Sequence, residues 1–326
     1  MRMGGDGELA DPIISLIQIL IFPGLIFLFI LGLIFEWIDR KVFARFQNRI
    51  GPLYTGPRGF LQPLADFIKL LTKEDVTPRY VDKFLFNLLP GIAPVLPVFA
   101  SFYLPLNGYP ILHPFEGDLI LIITLMTIYT IIVFMAGWVS TNRFSSIGAA
   151  RAILQFLGFE IPMFISLASV AIDSASLSIT YIADHQPIPY ILLQPLGFII
   201  FLIALQAELE RVPFDIPEAE SEIVAGWLTE YSGPKLAFFR LSNNLMLVFG
   251  AGLTTAIFLG GGSGPILPPI IWYLIKMVFV VILSTILRTV FARLRIDQVL
   301  SGAWRYLIPL AILQLILAKF LAVLVM

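Results

Sequence analysis

Cysteine is absent from the 326 residues, and histidine occurs only twice, at His113 and His185. Iron–sulfur clusters are held chiefly by cysteine thiolates, so an ordinary cluster finds no ligands here. Two histidines so far apart in sequence do not supply a stacked bis-histidine haem site in a bundle. Electrons are therefore not expected to travel through cofactors held by this chain, and no metal site is expected. The missing cysteine also removes any disulfide signal of compartment. Charge is scarce: Asp, Glu, Lys and Arg make up 13% of the chain, against about 25% in soluble domains. Lys and Arg number 21 against 22 Asp and Glu, with no basic excess of the kind nucleic acid attracts. The stretch from Met1 to Asp11 is acidic, the wrong sign for a cleavable signal.

What is abundant is apolar surface. Hydrophobic residues make up 58% of the chain, and the mean hydropathy is +0.91. A soluble fold of this length could not hide that much. The expectation is an all-α integral membrane protein in one membrane domain, 1–326. A spanning helix needs about 20 apolar residues, and eight segments qualify: about 12–35, 84–106, 119–142, 152–172, 186–207, 241–260, 266–287 and 306–326. The sixth and seventh are separated by Gly260-Gly-Gly-Ser-Gly-Pro265, a flexible turn without the Lys-Ser/Thr ending of a phosphate loop.

The positive-inside rule then sets orientation. With both termini outside, the inside loops 36–83, 143–151, 208–240 and 288–305 hold nine, two, three and four Lys/Arg. Only Arg2 lies in an outside segment, while Lys276 and Lys319 fall within helices. The long loops therefore face the cytoplasm of a multi-pass protein of the cytoplasmic membrane, and any chemistry faces there too.

The first inside loop opens with Glu36-Trp-Ile-Asp-Arg-Lys41 and continues through Gln47, Arg49 and Gly51-Pro52. Such a run can be a basic collar on anionic lipid. Beyond it, Phe60, Leu64, Phe67, Ile68 and Leu71 share one helical face, and Gln62, Asp66, Lys69 and Lys73 share another. The segment 60–73 is too short to span and reads as an amphipathic helix lying in the interface. It can anchor the chain, or line a lateral opening for a lipid-soluble substrate.

Residues 208–235 carry seven of the acids and only two basic residues. The carboxylates alternate with Val212, Phe214, Ile216, Ile223, Val224 and Trp227, so this loop is expected to fold against something rather than stay solvated. Pro213 and Pro217 stop a continuous helix, and a helix starting after Pro217 would put Glu218 and Glu222 on one face. Like charges packed this closely share protons. Three charged groups sit within apolar spans, Glu160, Lys276 and Lys319. An acid or base at a helix centre costs about 2.5–3.5 kcal/mol on insertion scales. Glu160 is expected to face a polar cavity, and Lys276 to serve a proton relay or an ion pair; Lys319 reads as an interface anchor.

Four motifs together resemble the family of NuoH, or NADH dehydrogenase subunit 1, of respiratory complex I, with relatives in archaeal F420H2 dehydrogenases and membrane-bound energy-converting hydrogenases. They are Asp39-Arg-Lys41 with Gln47-Asn-Arg-Ile-Gly-Pro52; the stretch Gly56 to Glu74; Ala136-Gly-Trp138 leading through Gly148-Ala-Ala-Arg-Ala152 to Glu160; and Glu208 to Tyr231 with Arg211, Pro213, Phe214 and Asp215. Arg293-Leu-Arg-Ile-Asp-Gln298 also fits. The resemblance implies a subunit joining a peripheral redox arm to an ion-pumping membrane arm. It implies coupling roles for Glu160, Glu208, Asp215, Glu218, Glu220 and Glu222, with Arg211, Arg288, Arg293 and Arg295 as countercharges. Asp39, Arg40, Lys41, Gln47, Arg49, Phe60, Asp66 and Lys69 would border a chamber for a quinone-like carrier.

By the same resemblance, iron–sulfur clusters and a flavin or nickel–iron centre sit in partner subunits. The expected neighbours are iron–sulfur and quinone-site or hydrogenase-like subunits, antiporter-like and small membrane subunits, and lipid. Departures from the family pattern, Asp39 for Glu, Leu53 for Asn and Ala292 for Pro, surround the chamber and leave the acceptor open between a quinone, a phenazine-like carrier and none, as in a hydrogenase. The lack of thermolabile cysteine leans towards the archaeal branch. A secondary transporter and a passive anchor are the rival readings. The halves 1–163 and 164–326 show no self-similarity of the transporter kind, and an anchor leaves Glu160 and Lys276 unexplained.

Overall fold

A computed structural model describes residues 12–325, and every regular element among them is a helix. The expected first span is broken in two. Helix α1, Pro12–Leu20, ends in a tight turn before α2, Leu25–Phe46. A Cβ on Gly24 would come within 1.9 Å of the Ile19 carbonyl oxygen, so only glycine fits this bend. Helix α2 runs eleven residues past the apolar segment and keeps Asp39, Arg40 and Lys41 helical. Hydropathy stops counting where charge begins, whereas a helix continues wherever those charges find partners.

The interfacial helix is present as α3, Gln62–Thr72. Next, α4, Lys83–Ile92, is capped by Asp82, whose side chain accepts from the Phe84 and Leu85 amides. Pro94 separates it from α5, Val95–Ser101. Helix α6, Asp118–Val139, is charge-free after its first residue. Helix α7, Arg143–Ser174, starts well before the expected 152, because Asn142 caps it by accepting the Phe144 amide at 3.0 Å. The short α8, Ile179–Asp184, and α9, Tyr190–Leu193, lead into α10, Pro195–Glu208. One turn, α11, Glu220–Ile223, lies within the acidic loop.

Helix α12, Gly233–Phe258, is the hub: 83% of its apolar window is buried, and it packs on α2, α3, α4, α5 and α13. Helix α13, Pro269–Val290, closes against α2 and α12. After it, α14, Ile296–Gly302, and α15, Ile308–Val325, are joined by a π-helical turn at 303–307. Among the described residues, seven helical segments are long and apolar enough to cross a membrane. The expected span 186–207 is covered by α9 and α10; α10 has 14 residues and is about 21 Å long at 1.5 Å per residue.

Candidate functional site

Polar side chains gather at one end of the bundle, where α2, α3, α7, α10, α12 and α13 meet the acidic loop. Asp39, on α2, is 3% exposed. One carboxylate oxygen accepts from Arg211 at 3.1 Å and from the Thr285 hydroxyl at 2.7 Å; the other accepts from Arg288 at 2.8 Å. Arg288 also lies over the Phe43 ring at 4.7 Å. Burial draws the Arg211 guanidinium below its ordinary value, with Asp39 opposing the shift. Arg211 and Arg288, two arginines expected as countercharges of the acidic loop, thus both pair with Asp39, and Arg288 also acts on Asp215 and Glu218.

A second cluster joins α2 to α3. Arg40 bridges Glu36 and Asp66, the latter at 2.6 Å, and Gln62 adds a hydrogen bond to Asp66 at 2.8 Å. Against the cost of burial, these bonds hold the Asp66 carboxyl below its usual range. Asn244 of α12 donates to Glu36. Phe60 packs edge-on against Trp37, and Lys41 holds the Ile50–Pro52 turn through its carbonyls. Gln47, Arg49 and Lys69 are exposed beside this patch. A cleft bounded by Glu36, Arg40, Asp66 and Asn244 adjoins an apolar cavity of about 220 Å³ lined by Phe29, Pro94, Val98 and Leu245, and Leu241 borders both. The polar cleft, about 20 Å³, holds a water-sized group among the ion pairs, and the apolar slot beside it suits a hydrocarbon chain.

The carboxylates form a line beginning in α7. Glu160 accepts from Thr127 at 2.8 Å, and Glu208, at the end of α10, accepts from Thr130 at 2.9 Å. Thr127 and Thr130 are one turn apart on α6. Glu210 accepts from the indole N–H of the buried Trp227 at 3.0 Å. One oxygen of Glu218 is buried and has no hydrogen-bond partner among the described residues. Burial and the neighbouring Asp215 push Glu218 up to about 7. Burial, then Glu218, pushes Glu210 well above the ordinary carboxylate range. Asp215 is raised by burial, with Arg293 and Arg288 opposing. Tyr129 lies within electrostatic reach of Glu208, Glu210 and Glu218, and its hydroxyl donates to Asn243 at 2.6 Å.

The loop carrying these acids is seated, not solvated. A Cβ on Gly148 would fall 2.6 Å from the Trp227 nitrogen, and one on Gly137 would fall 2.9 Å from the Trp227 Cβ. Gly226, at φ +54, lets the loop close on itself; a Cβ there would lie 1.7 Å from the Pro217 carbonyl oxygen. Tyr231 stacks on Phe86 at 4.3 Å and donates to the Ala136 carbonyl.

Other expected residues lie apart. Glu220 and Glu222 are exposed. Glu222 pairs with Arg151 at 2.6 Å and Arg293 at 3.7 Å, with Arg295 near; the Arg151 hydrogen bond leads in holding its carboxyl low. Lys276 has no carboxylate partner among the described residues. Its ammonium donates to the carbonyls of Leu259, Gly261 and Ser263 at 2.7–2.9 Å, a turn that α13 packing brings back to it. The expected ion pair at Lys276 is therefore replaced by a turn clamp. Sequence reasoning assigns no role to Glu210, Tyr129, Thr127, Thr130 or Arg151; Glu210 stands in the acidic run and Arg151 in a family motif, with nothing local to single either out.

A family model described as NADH dehydrogenase matches residues 17–319 of this chain. The chain is 41% identical over 308 residues to the H subunit of NADH-quinone oxidoreductase from Dehalococcoides mccartyi strain CBDB1, covering 93% of this chain and 87% of the relative. It is 37% identical to the protein of that name from Carboxydothermus hydrogenoformans, over 91% of this chain and 86% of the relative. The corresponding protein of Syntrophotalea carbinolica, which carries the same name, is 37% identical, with 94% and 96% covered.

Proposed function

The chain belongs to the NADH dehydrogenase family and is a membrane subunit of a complex I-type oxidoreductase; from that premise we propose that it couples reduction of a quinone-like carrier to proton movement through its own carboxyls. The carrier is the substrate of the assembled complex, and electrons reach it from centres in partner subunits of the peripheral arm. The cleft of Glu36, Arg40 and Asp66, with the apolar slot beside it across Leu241, supports a role as one wall of the carrier's chamber.

The single observation that carries the reading is the line Glu160, Glu208, Glu210, Glu218, beside a buried Asp39 whose arginine partner, Arg211, follows Glu210 directly. Charge appearing at the chamber wall changes the balance at Asp39, Arg211 and Arg288. In a low-dielectric site that change acts strongly on the adjoining carboxyls. Those held near neutral pH, such as Glu218, take up or release protons in response. Glu160, inside α7, passes the proton towards antiporter-like membrane partners.

The test is ion translocation by the assembled complex in sealed membrane vesicles carrying Glu160→Gln. Acidification driven by electron transfer should fall by at least about tenfold, since a positioned proton-transfer group contributes about a hundredfold or more. Acidification at the wild-type rate would exclude Glu160 from the path.

A further inference from the structure

Within the acidic line, Glu210 is the residue that the family motif leaves undefined, yet the fold places it at the centre. Its backbone takes a left-handed turn at φ +50 just past the end of α10, which carries the side chain back to the Trp227 indole. Of the charged groups acting on it, Glu218 is first, followed by Asp215 and Glu208. Glu208 in turn feels Glu160. Glu210 thus has Glu218 and Asp215 of the loop on one side and Glu208, at the end of α10, on the other.

Glu208 and Glu210 both line a cavity of about 10 Å³, together with Tyr129, Thr130 and Gln155. That volume is about one water centre. Gln155 is 3% exposed. Its amide nitrogen donates to the Ala207 carbonyl at 2.7 Å, while its Oε1 is buried without a partner among the described residues. An unpaired buried acceptor costs about 1–3 kcal/mol. An ionised carboxylate offers it nothing, since it too only accepts, and a protonated carboxyl has one proton to give. The cavity thus suits a molecule that donates to Gln155 and also accepts from a protonated carboxyl.

We propose that this cavity binds a single water molecule, which donates to Gln155 and relays protons between Glu210 and Glu208. A proton leaves the Glu210 carboxyl for the water oxygen as a proton on the water's far side passes to the Glu208 carboxylate. The water is regenerated, and no other reactant is consumed. Glu210 is thereby a proton-carrying residue of this chain, and Gln155 positions the relay. The inference rests on the proton-path reading above.

The experiment uses the assembled complex in sealed vesicles with four variants: Glu208→Gln, Glu210→Gln, Glu210→Asp and Gln155→Leu. Expected are losses of acidification of at least about tenfold in Glu208→Gln, Glu210→Gln and Gln155→Leu, with Glu210→Asp recovering to within about threefold of wild type. The recovery separates a titrating group from a packing one, because aspartate keeps the carboxyl and changes the fit. If Glu208→Gln loses acidification while Glu210→Gln and Gln155→Leu keep it, the relay is wrong and the wider path stands. If Glu208→Gln itself keeps it, the wider reading fails. Should Glu210→Gln not assemble, Gln155→Leu decides alone, since it leaves both carboxyls in place and blocks the water.

Discussion

Asp39 and Arg211 lie 172 positions apart and meet in an ion pair of 3.1 Å, with Asp39 almost wholly buried. The contact ties α2, which borders the cleft, to the loop that bears the acids. Removing one partner of a buried pair leaves an uncompensated charge and costs about 3–5 kcal/mol. Asp39→Asn leaves two arginines facing each other, so it should lower the thermal midpoint of the complex sharply. Asp39→Asn and Arg211→Ala combined should cost much less than the sum of the two. Additive losses would mean that the pair does not act as a unit.

Gly148 and Gly302 make a matched pair of substitutions. A Cβ at Gly148 meets backbone atoms of Gly226 and Trp227 at 2.6–2.9 Å, whereas one at Gly302 meets nothing within 4 Å. Gly148→Ala should destabilise by about 1–3 kcal/mol and raise hydrogen exchange through 216–228. Gly302→Ala, in helical conformation, should be neutral or stabilising by up to about 1 kcal/mol. Equal effects would contradict the seating of Trp227 on Gly148.

Glu218 gives the acidic loop a pH dependence of definite sign. Its folded value, raised to about 7, lies above the about 4.3 of an unfolded glutamate, so the folded loop holds the proton more tightly. That contribution is full below about pH 4.3 and is lost as pH rises through about 7. Hydrogen exchange in the loop, corrected for intrinsic rates, should be faster at about pH 8 than at about pH 6, and Glu218→Gln should flatten the difference. Protection rising with pH would show the opposite linkage.

How much of this is legible in the sequence differs from residue to residue. The carboxylates of 208–222 and the interfacial helix at 60–73 stand out because acidic clustering and amphipathic spacing are local patterns. The helical nature of the long apolar elements, such as α6 and α13, follows from apolar runs too long for anything else. Helix ends are not legible at α2 and α7, where Asp39 and Asn142 depend on partners or caps that a hydropathy count ignores. Glu210 stays hidden because nothing local separates it from its acidic neighbours; only the fold sets it beside Trp227. Lys276 misleads because its partners are backbone carbonyls, which every residue has.

Lys276 now makes a prediction of its own. Hydrogen bonds to a charged group contribute about 1.5–3 kcal/mol each when lost, so Lys276→Met should loosen the Leu259–Ser263 turn. Limited proteolysis at this turn should speed up while acidification stays within about twofold of wild type. A tenfold fall in acidification with the turn still resistant would return Lys276 to the proton path.

The central claim is that carboxyls of this chain change protonation when electrons enter the complex. Infrared difference spectra of the assembled complex, reduced minus oxidised, read the carboxylic C=O stretch directly. The account predicts a difference band in that region that weakens in Glu218→Gln and again in Glu208→Gln, with electron entry still occurring. A band unchanged in both variants would contradict it.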